Sequence, residues 1–166
     1  MVQFSVSHED FRIHELDSIL SAYIDPSDAF DVENARKSFN YGSAFLILQL
    51  PNEKIANEII SRCILVKNVL ELWGHGSTFE SAFESVRNFD YSDFAGEKRT
   101  WSLDVKGSRF TLDLAMKHEV RKKLSFLEMR GRVDCKDPDV ELLCLLEYDG
   151  EITPQKKLED KFAYLK

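Results

Sequence analysis

The feature that most constrains this chain is an uncharged run at residues 43–50, Ser-Ala-Phe-Leu-Ile-Leu-Gln-Leu, with six apolar side chains in eight. A run of this length and bounded by turn residues reads as a central strand rather than a helix. A central strand needs neighbours, and the flanking sequence offers them. Residues 2–6 alternate apolar and polar, as a half-buried strand does. Ser7 with Asp10 has the look of a helix start, after which Leu16, Ile19, Leu20 and Tyr23 share one helical face. Asp25-Pro26-Ser27-Asp28 breaks that helix, and a weakly patterned extended stretch follows near residues 30–38. After the apolar run, Asn52 is placed to cap a helix striped by Ile55, Ala56, Ile59, Ile60 and Cys63, and residues 64–73 are extended again. The order is strand, helix, strand, strand, helix, strand. Two such βαβ halves make one sheet with helices on a single face, a ferredoxin-like α+β unit.

Beyond this unit, Gly74-His75-Gly76 predicts a turn made possible by glycine's wider range of backbone angles. Ser77 and Glu80 have capping-box spacing for a helix whose apolar face is Phe79, Ala82, Phe83 and Val86. Residues 88–97 form a polar, aromatic-dotted connection and mark the expected module boundary. A strand is predicted at residues 100–105, then a helix bearing Met116, Val120, Leu124 and Leu127 on its buried side and ended by Gly131. Residues 132–135 are short and extended, Asp137-Pro138-Asp139 turns, and residues 140–148 make an apolar final strand.

The net charge of −7 argues at first against a polyanionic partner. Its distribution argues otherwise. Residues 1–95 hold 7 basic and 15 acidic side chains, residues 96–136 hold 11 and 6, and residues 137–166 hold 4 and 8. Half of all Lys and Arg therefore lie in one quarter of the chain, where they can attract a phosphate backbone despite the acidic whole. The candidate contacts are Arg99, Lys106, Arg109, Lys117, Arg121, Lys122, Lys123, Arg130, Arg132 and Lys136. Lys106 and Arg109 leave a strand where a helix begins, and Arg130 and Arg132 leave that helix where the next strand begins, so some should share a face. A solvated helix face accounts for part of the same pattern.

Other chemistry finds little support. No apolar run reaches the roughly 18 residues of a membrane span, and the N-terminus shows neither the basic stretch nor the apolar run of a signal peptide. Cys63, Cys135 and Cys144 are widely spaced, and apolar neighbours such as those around Cys63 predict buried, reduced thiols in a cytoplasmic protein rather than metal ligands. His8 and His14 are six apart, wrong for a helical metal pair, and His118 reads as a solvated helix residue. His75 has no nucleophile or second base nearby and reads as structural. Trp73 and Trp101, at strand ends, read as core more than as base-stacking platforms. Asp134 and Asp137 read as turn residues rather than a general acid and base. No catalytic residue is assigned.

Two segments carry a resemblance. Residues 63–76, and above all Glu71-Leu72-Trp73-Gly74-His75-Gly76, closely resemble a segment of the eukaryotic tRNA guanosine-10 N2-methyltransferase catalytic subunits, whose N-terminal half carries a THUMP domain. More loosely, residues 131–140 look like the end of such a domain: a short extended piece, a Pro-Asp turn, then an apolar strand. The resemblance implies a ferredoxin-like module at residues 1–95, a THUMP-type α/β RNA-binding module at 96–150, and a linker at 151–166 toward a methyltransferase domain. It implies that the THUMP module grips the 3′ single-stranded end of tRNA. It also implies a Rossmann-like catalytic domain that binds S-adenosylmethionine through a Gly-rich loop and carries an Asp-Pro-Pro-Tyr-type motif. Neither motif occurs in these 166 residues: Gly74-His75-Gly76 lacks the third glycine, and no Pro-Pro pair exists. No cofactor is therefore expected in this chain, and the small zinc-binding activator subunit that the family implies would sit on the catalytic domain. A rival reading from a different class is a protein-interaction module that docks a partner through its acidic N-terminal face.

Overall fold

A computed structural model describes residues 1–5, 7–23, 37, 39, 42–108 and 110–147. They form an α+β protein whose chain divides into two compact units, Met1–Leu72 and Trp73–Lys166.

In the first unit, β1 (Val2–Phe4) is the centre of a three-stranded sheet, flanked by β2 (Phe45–Leu46) and β3 (Val66–Val69). It pairs antiparallel with both, so Val2 faces Leu46 on one side and Val69 on the other. β2 and β3 therefore run parallel to each other with β1 between them, and α2 (Glu53–Arg62) joins them. This is the split βαβ arrangement of a ferredoxin-like unit. The strand expected near residues 30–38 lies outside the described residues.

Helical periodicity dictates the core. Ile13, Leu16 and Leu20 of α1 (Arg12–Tyr23) and Ile55 and Ile59 of α2 are buried with Val2, Phe4, Leu46 and Val66. Asn52 caps α2 as expected, its side-chain oxygen accepting from the Ile55 amide at 3.2 Å. Glu15 of α1 reaches the chain entering β3, where its two carboxylate oxygens accept from the amides of Ile64 and Leu65 at 2.8 and 2.9 Å. Two expectations are corrected. The apolar run at 43–50 pairs only at Phe45 and Leu46, and Ile47 is 46% exposed, so hydrophobicity overstated the strand's length. The helix expected to start at Ser7 instead begins after His8, a left-handed residue (φ 53°), which leads through a 3₁₀ turn at Glu9–Phe11 into α1.

In the second unit, β4 (Trp101–Ser108) and β5 (Val140–Glu147) pair in parallel, in unbroken register from Trp101↔Val140 to Ser108↔Glu147. A parallel pair needs a crossover, and α4 (Leu114–Lys123) lies on it. Leu103 and Val105 of β4 pack with Leu146 and Cys144 of β5, with Val120 and Leu124 of the α4 segment, and with Phe79 and Phe83 of α3 (Phe79–Arg87). The boundary expected in 88–97 groups α3 with the first module. Its spacing of phenylalanines announces a buried face but not which core receives it, and Phe79 and Phe83 join the second.

Some local signals act at neighbouring residues. The capping box of α3 is built from Thr78 and Ser81, not Ser77 and Glu80: Ser81 N–H donates to Thr78 Oγ1 at 3.2 Å and Thr78 N–H to Ser81 Oγ at 3.1 Å. α4 ends at Lys123, well before Gly131. Among described residues no glycine has positive φ, so backbone freedom is not what Gly74 and Gly76 supply. They supply closeness. A Cβ on Gly74 would lie 2.6 Å from both Val86 N and Val86 Cγ2, and one on Gly76 would lie 2.5 Å from Ala82 N and closer still to Ser81 Oγ. The Trp-Gly-His-Gly segment is thus pressed against the backbone of α3. Among described residues, no helix is long and apolar enough to cross a membrane.

Candidate nucleic-acid interface

The second unit brings part of the predicted basic set to one point. Along β4, Leu103 and Val105 join the core, while the alternate residues Asp104 and Lys106 stay partly or fully in solvent. On α4, Val120 turns inward, which leaves Lys117 half-buried and Arg121 and Lys122 exposed. Lys117 and Arg121 are four apart and so neighbours on the helix surface. Their nitrogens lie 3.2 and 3.7 Å from Asp104 Oδ1, and Lys106 Nζ lies 3.6 Å from Asp104 Oδ2. Three cations from a strand and a helix thus surround one carboxylate, leaving a local charge of +2 on a protein whose net charge is −7.

Asp104 is held in its charged form. Partial burial pushes its carboxyl up, but the Lys117 hydrogen bond, the Val105 amide at 2.8 Å, and the charges of Lys117 and Lys106 outweigh that, so it sits below the usual carboxylate range. Asp104 is not legible as a site residue in the sequence, because one of six acids among eleven bases looks like dilution rather than organisation. Its position two residues before Lys106 is the available signal.

The remaining bases fall elsewhere. Arg99, Arg130 and Arg132 gather at the start of β4. There, Trp101 N–H donates to the Arg132 carbonyl at 3.0 Å, Trp101 Nε1 to the Gly131 carbonyl at 2.9 Å, and Arg130 N–H to the Ala95 carbonyl at 3.2 Å. Gly131 is needed at this place because a Cβ would collide with the Arg99 carbonyl oxygen. Lys106 is five residues along the strand from Trp101, about 17 Å at 3.3 Å per residue. In a parallel βαβ unit the two ends of the crossover lie at opposite ends of the strands. Some of the set thus share a face, Lys106 with Lys117 and Arg121, while Arg130 and Arg132 belong to a separate group at the other end of β4. Lys123 lies over the Phe79 ring at 5.1 Å, and Lys136 is exposed in the turn whose amides Asp134 binds, Lys136 N–H at 2.9 Å and Asp137 N–H at 3.3 Å. Arg109 lies outside the described residues.

The other singled-out residues find structural settings. Asp139 Oδ2 accepts from Thr100 N and Oγ1 at 2.7 and 2.9 Å, which closes the loop onto β4 and holds its carboxyl below the ordinary value. Trp73 is half-buried, stacked on Phe89 and Tyr91 with centroids 5.5 and 5.3 Å away. His75 and His118 are exposed. One cysteine departs from expectation: Cys135 is exposed, whereas Cys63 is buried and Cys144 half-buried, with burial pushing their thiols up to about 11 and about 12. Among described residues no group of three His, Cys, Asp or Glu side chains is arranged to hold a metal ion.

The chain resembles curated tRNA (guanine(10)-N(2))-methyltransferases. It is 30% identical over 145 residues to TRMT11 of Homo sapiens, covering 85% of this chain and 30% of the relative. It is 27% identical over 156 residues to TRMT11 of Xenopus laevis (92% and 31%), and 25% identical over 149 residues to the enzyme of Saccharomyces cerevisiae (85% and 32%). It thus spans a little under a third of the length of these relatives. No solved structure matches it. The family model described as the Tmrp11 THUMP N-terminal domain matches residues 1–166, the whole chain, and the protein belongs to that family.

Proposed function

We propose that this chain is the tRNA-binding region of an S-adenosylmethionine-dependent tRNA (guanosine-10-N2)-methyltransferase. It positions tRNA through the single-stranded 3′ end and acceptor stem for methylation by a catalytic domain outside these 166 residues. The relatives' names supply the tRNA substrate. The observation that carries the local assignment is the convergence of Lys106, Lys117 and Arg121, from two elements of one compact unit. Phosphate contacts need cations fixed by the fold, and arginine can also stack on unpaired bases. In this reading the second unit holds the RNA. Methyl-donor binding and the contact with a zinc-binding activator subunit belong to the catalytic domain, and the complex works in the cytoplasm.

The test is a mobility-shift titration with intact tRNA and with the same tRNA lacking its terminal CCA. Losing even one stacked base, at roughly 1 kcal/mol, weakens binding about fivefold or more. Equal affinity for the two RNAs refutes 3′-end positioning. Binding that does not respond to salt refutes phosphate recognition and favours docking of a protein partner.

A further inference from the structure

The arrangement around Asp104 raises a question of sign. A carboxylate at the centre of an RNA-binding surface should repel phosphate, and from charge alone its removal should tighten binding. The geometry points to the opposite effect. We propose that Asp104 is a positioning residue for RNA: it gathers Lys106, Lys117 and Arg121 into one seat for a backbone phosphate. The proposal rests on the RNA-binding reading above.

Lys117 is the firmest member. Its ammonium donates to Asp104 Oδ1 at 3.2 Å, and its side chain is only 26% exposed. Arg121 sits one helical turn later and shares the same oxygen, while Lys106 approaches the other oxygen from the strand itself. Asp104 is held in turn, because its Oδ1 accepts from the Val105 amide. The carboxylate is thus tied to the backbone and the cations are tied to the carboxylate. Without it, three like charges within one side chain's reach of each other repel, and each long side chain regains rotamers that binding must freeze again. Immobilising such a side chain again weakens binding about 2- to 13-fold. The repulsion relieved by removing one surface charge about 5 Å from a phosphate strengthens binding only about fourfold in water. Freeing two or three cations outweighs removing one anion.

The test compares the whole chain with D104N, which keeps an oxygen for the Val105 amide, and with D104S as a second variant should the first fold poorly. Each is titrated with a tRNA transcript at several salt concentrations, with thermal melts alongside. Positioning predicts that both variants bind about 3- to 10-fold more weakly. It also predicts that their log K against log salt is shallower by about 0.7 for each phosphate no longer neutralised. D104E, which restores the charge, recovers part of the affinity. In a K117A background D104N adds little, since the main tethered cation is already gone. D104N binding as tightly as wild type, or tighter with a steeper salt slope, overturns the positioning role and leaves the RNA-binding reading intact. A wild-type chain that binds no tRNA overturns both.

Discussion

Replacing Gly74 with alanine should destabilise the second unit, although Gly→Ala changes usually do the reverse. Where a glycine has ordinary φ and free space, alanine stabilises by about 0.4–1 kcal/mol, because the unfolded chain loses freedom. Gly96 is such a position, with nothing within 4 Å of an added Cβ. At Gly74 the Cβ meets Val86 N and Val86 Cγ2 at 2.6 Å and the Ala82 carbonyl at 3.0 Å. Reaching ordinary contact at 3.4 Å requires a shift of 0.8 Å, and two of those three atoms are helix backbone. α3 has little freedom to yield, since Phe79 and Phe83 anchor it in the core and Thr78 and Ser81 cap its start. Overpacking costs about 1–3 kcal/mol, and after the unfolded-state gain a net destabilisation of about 1–2 kcal/mol remains. For a unit of this size that is a fall in Tm of about 5–15 °C. Thermal and urea melts of G74A and G96A, followed by circular dichroism, give the comparison. G74A as stable as G96A would refute the close-approach explanation of the Trp-Gly-His-Gly segment.

Further outcomes follow from the same geometry. N52A loses the cap of α2 and about 1 kcal/mol in urea melts of the first unit; an unchanged midpoint contradicts it. In folded protein, a thiol reagent at neutral pH modifies Cys135 quickly, whereas Cys63 and Cys144, with thiols pushed up to about 11 and about 12, react only on unfolding; mass spectrometry of the labelled protein checks the order. The folded Asp104 carboxyl lies below its unfolded value, so its stabilisation is present above about pH 4 and is lost as pH falls through the lower folded value. The stability gap between wild type and D104N therefore narrows on acidification, and a gap that does not narrow as pH falls below about 4 counts against the ion cluster. Given tRNA and radiolabelled S-adenosylmethionine, these 166 residues alone transfer no methyl group, and turnover above a no-protein blank contradicts the assignment of chemistry to another domain.

What the sequence discloses, and what it hides, divides by the range of the interaction. Caps and stripes are local, so Asn52, the Ile55–Ile59 pair and the Val120–Leu124 pair are legible from spacing of three or four. Pairing partners are not local, and residues 43–50 look like a full strand although only Phe45 and Leu46 find a ladder. The glycines of Trp-Gly-His-Gly stand out in the sequence as a turn, since a close approach to α3 leaves no mark distinct from one. Among the candidate contacts, Lys117 and Arg121 can be placed on one helix face from their separation. That Lys106 joins them, and that Arg130 and Arg132 do not, depends on which end of β4 each crossover end reaches. Arg12 shows the same limit. It resembles a solvated base in an acidic segment, yet it is fully buried, with Nη1 donating to the Ser43 carbonyl at 3.0 Å.

The central claim is that RNA is held by fixed cations of the second unit, and charge reversal tests it most directly. Arg121 and Lys122, exposed on α4, are reversed together in R121E/K122E, and Lys54 and Lys67, exposed in the first unit, are reversed in K54E/K67E. The two variants carry the same net charge, so diffuse attraction weakens both alike. The account predicts that R121E/K122E loses at least tenfold in tRNA affinity, and that its log K against log salt is shallower by about 1.4, two phosphates at roughly 0.7 each on single-stranded RNA. It predicts that K54E/K67E stays within about twofold of wild type at 0.15 M salt, where charges that contact no phosphate are largely screened. Equal weakening in the two variants would contradict the account and reduce the interface to long-range attraction.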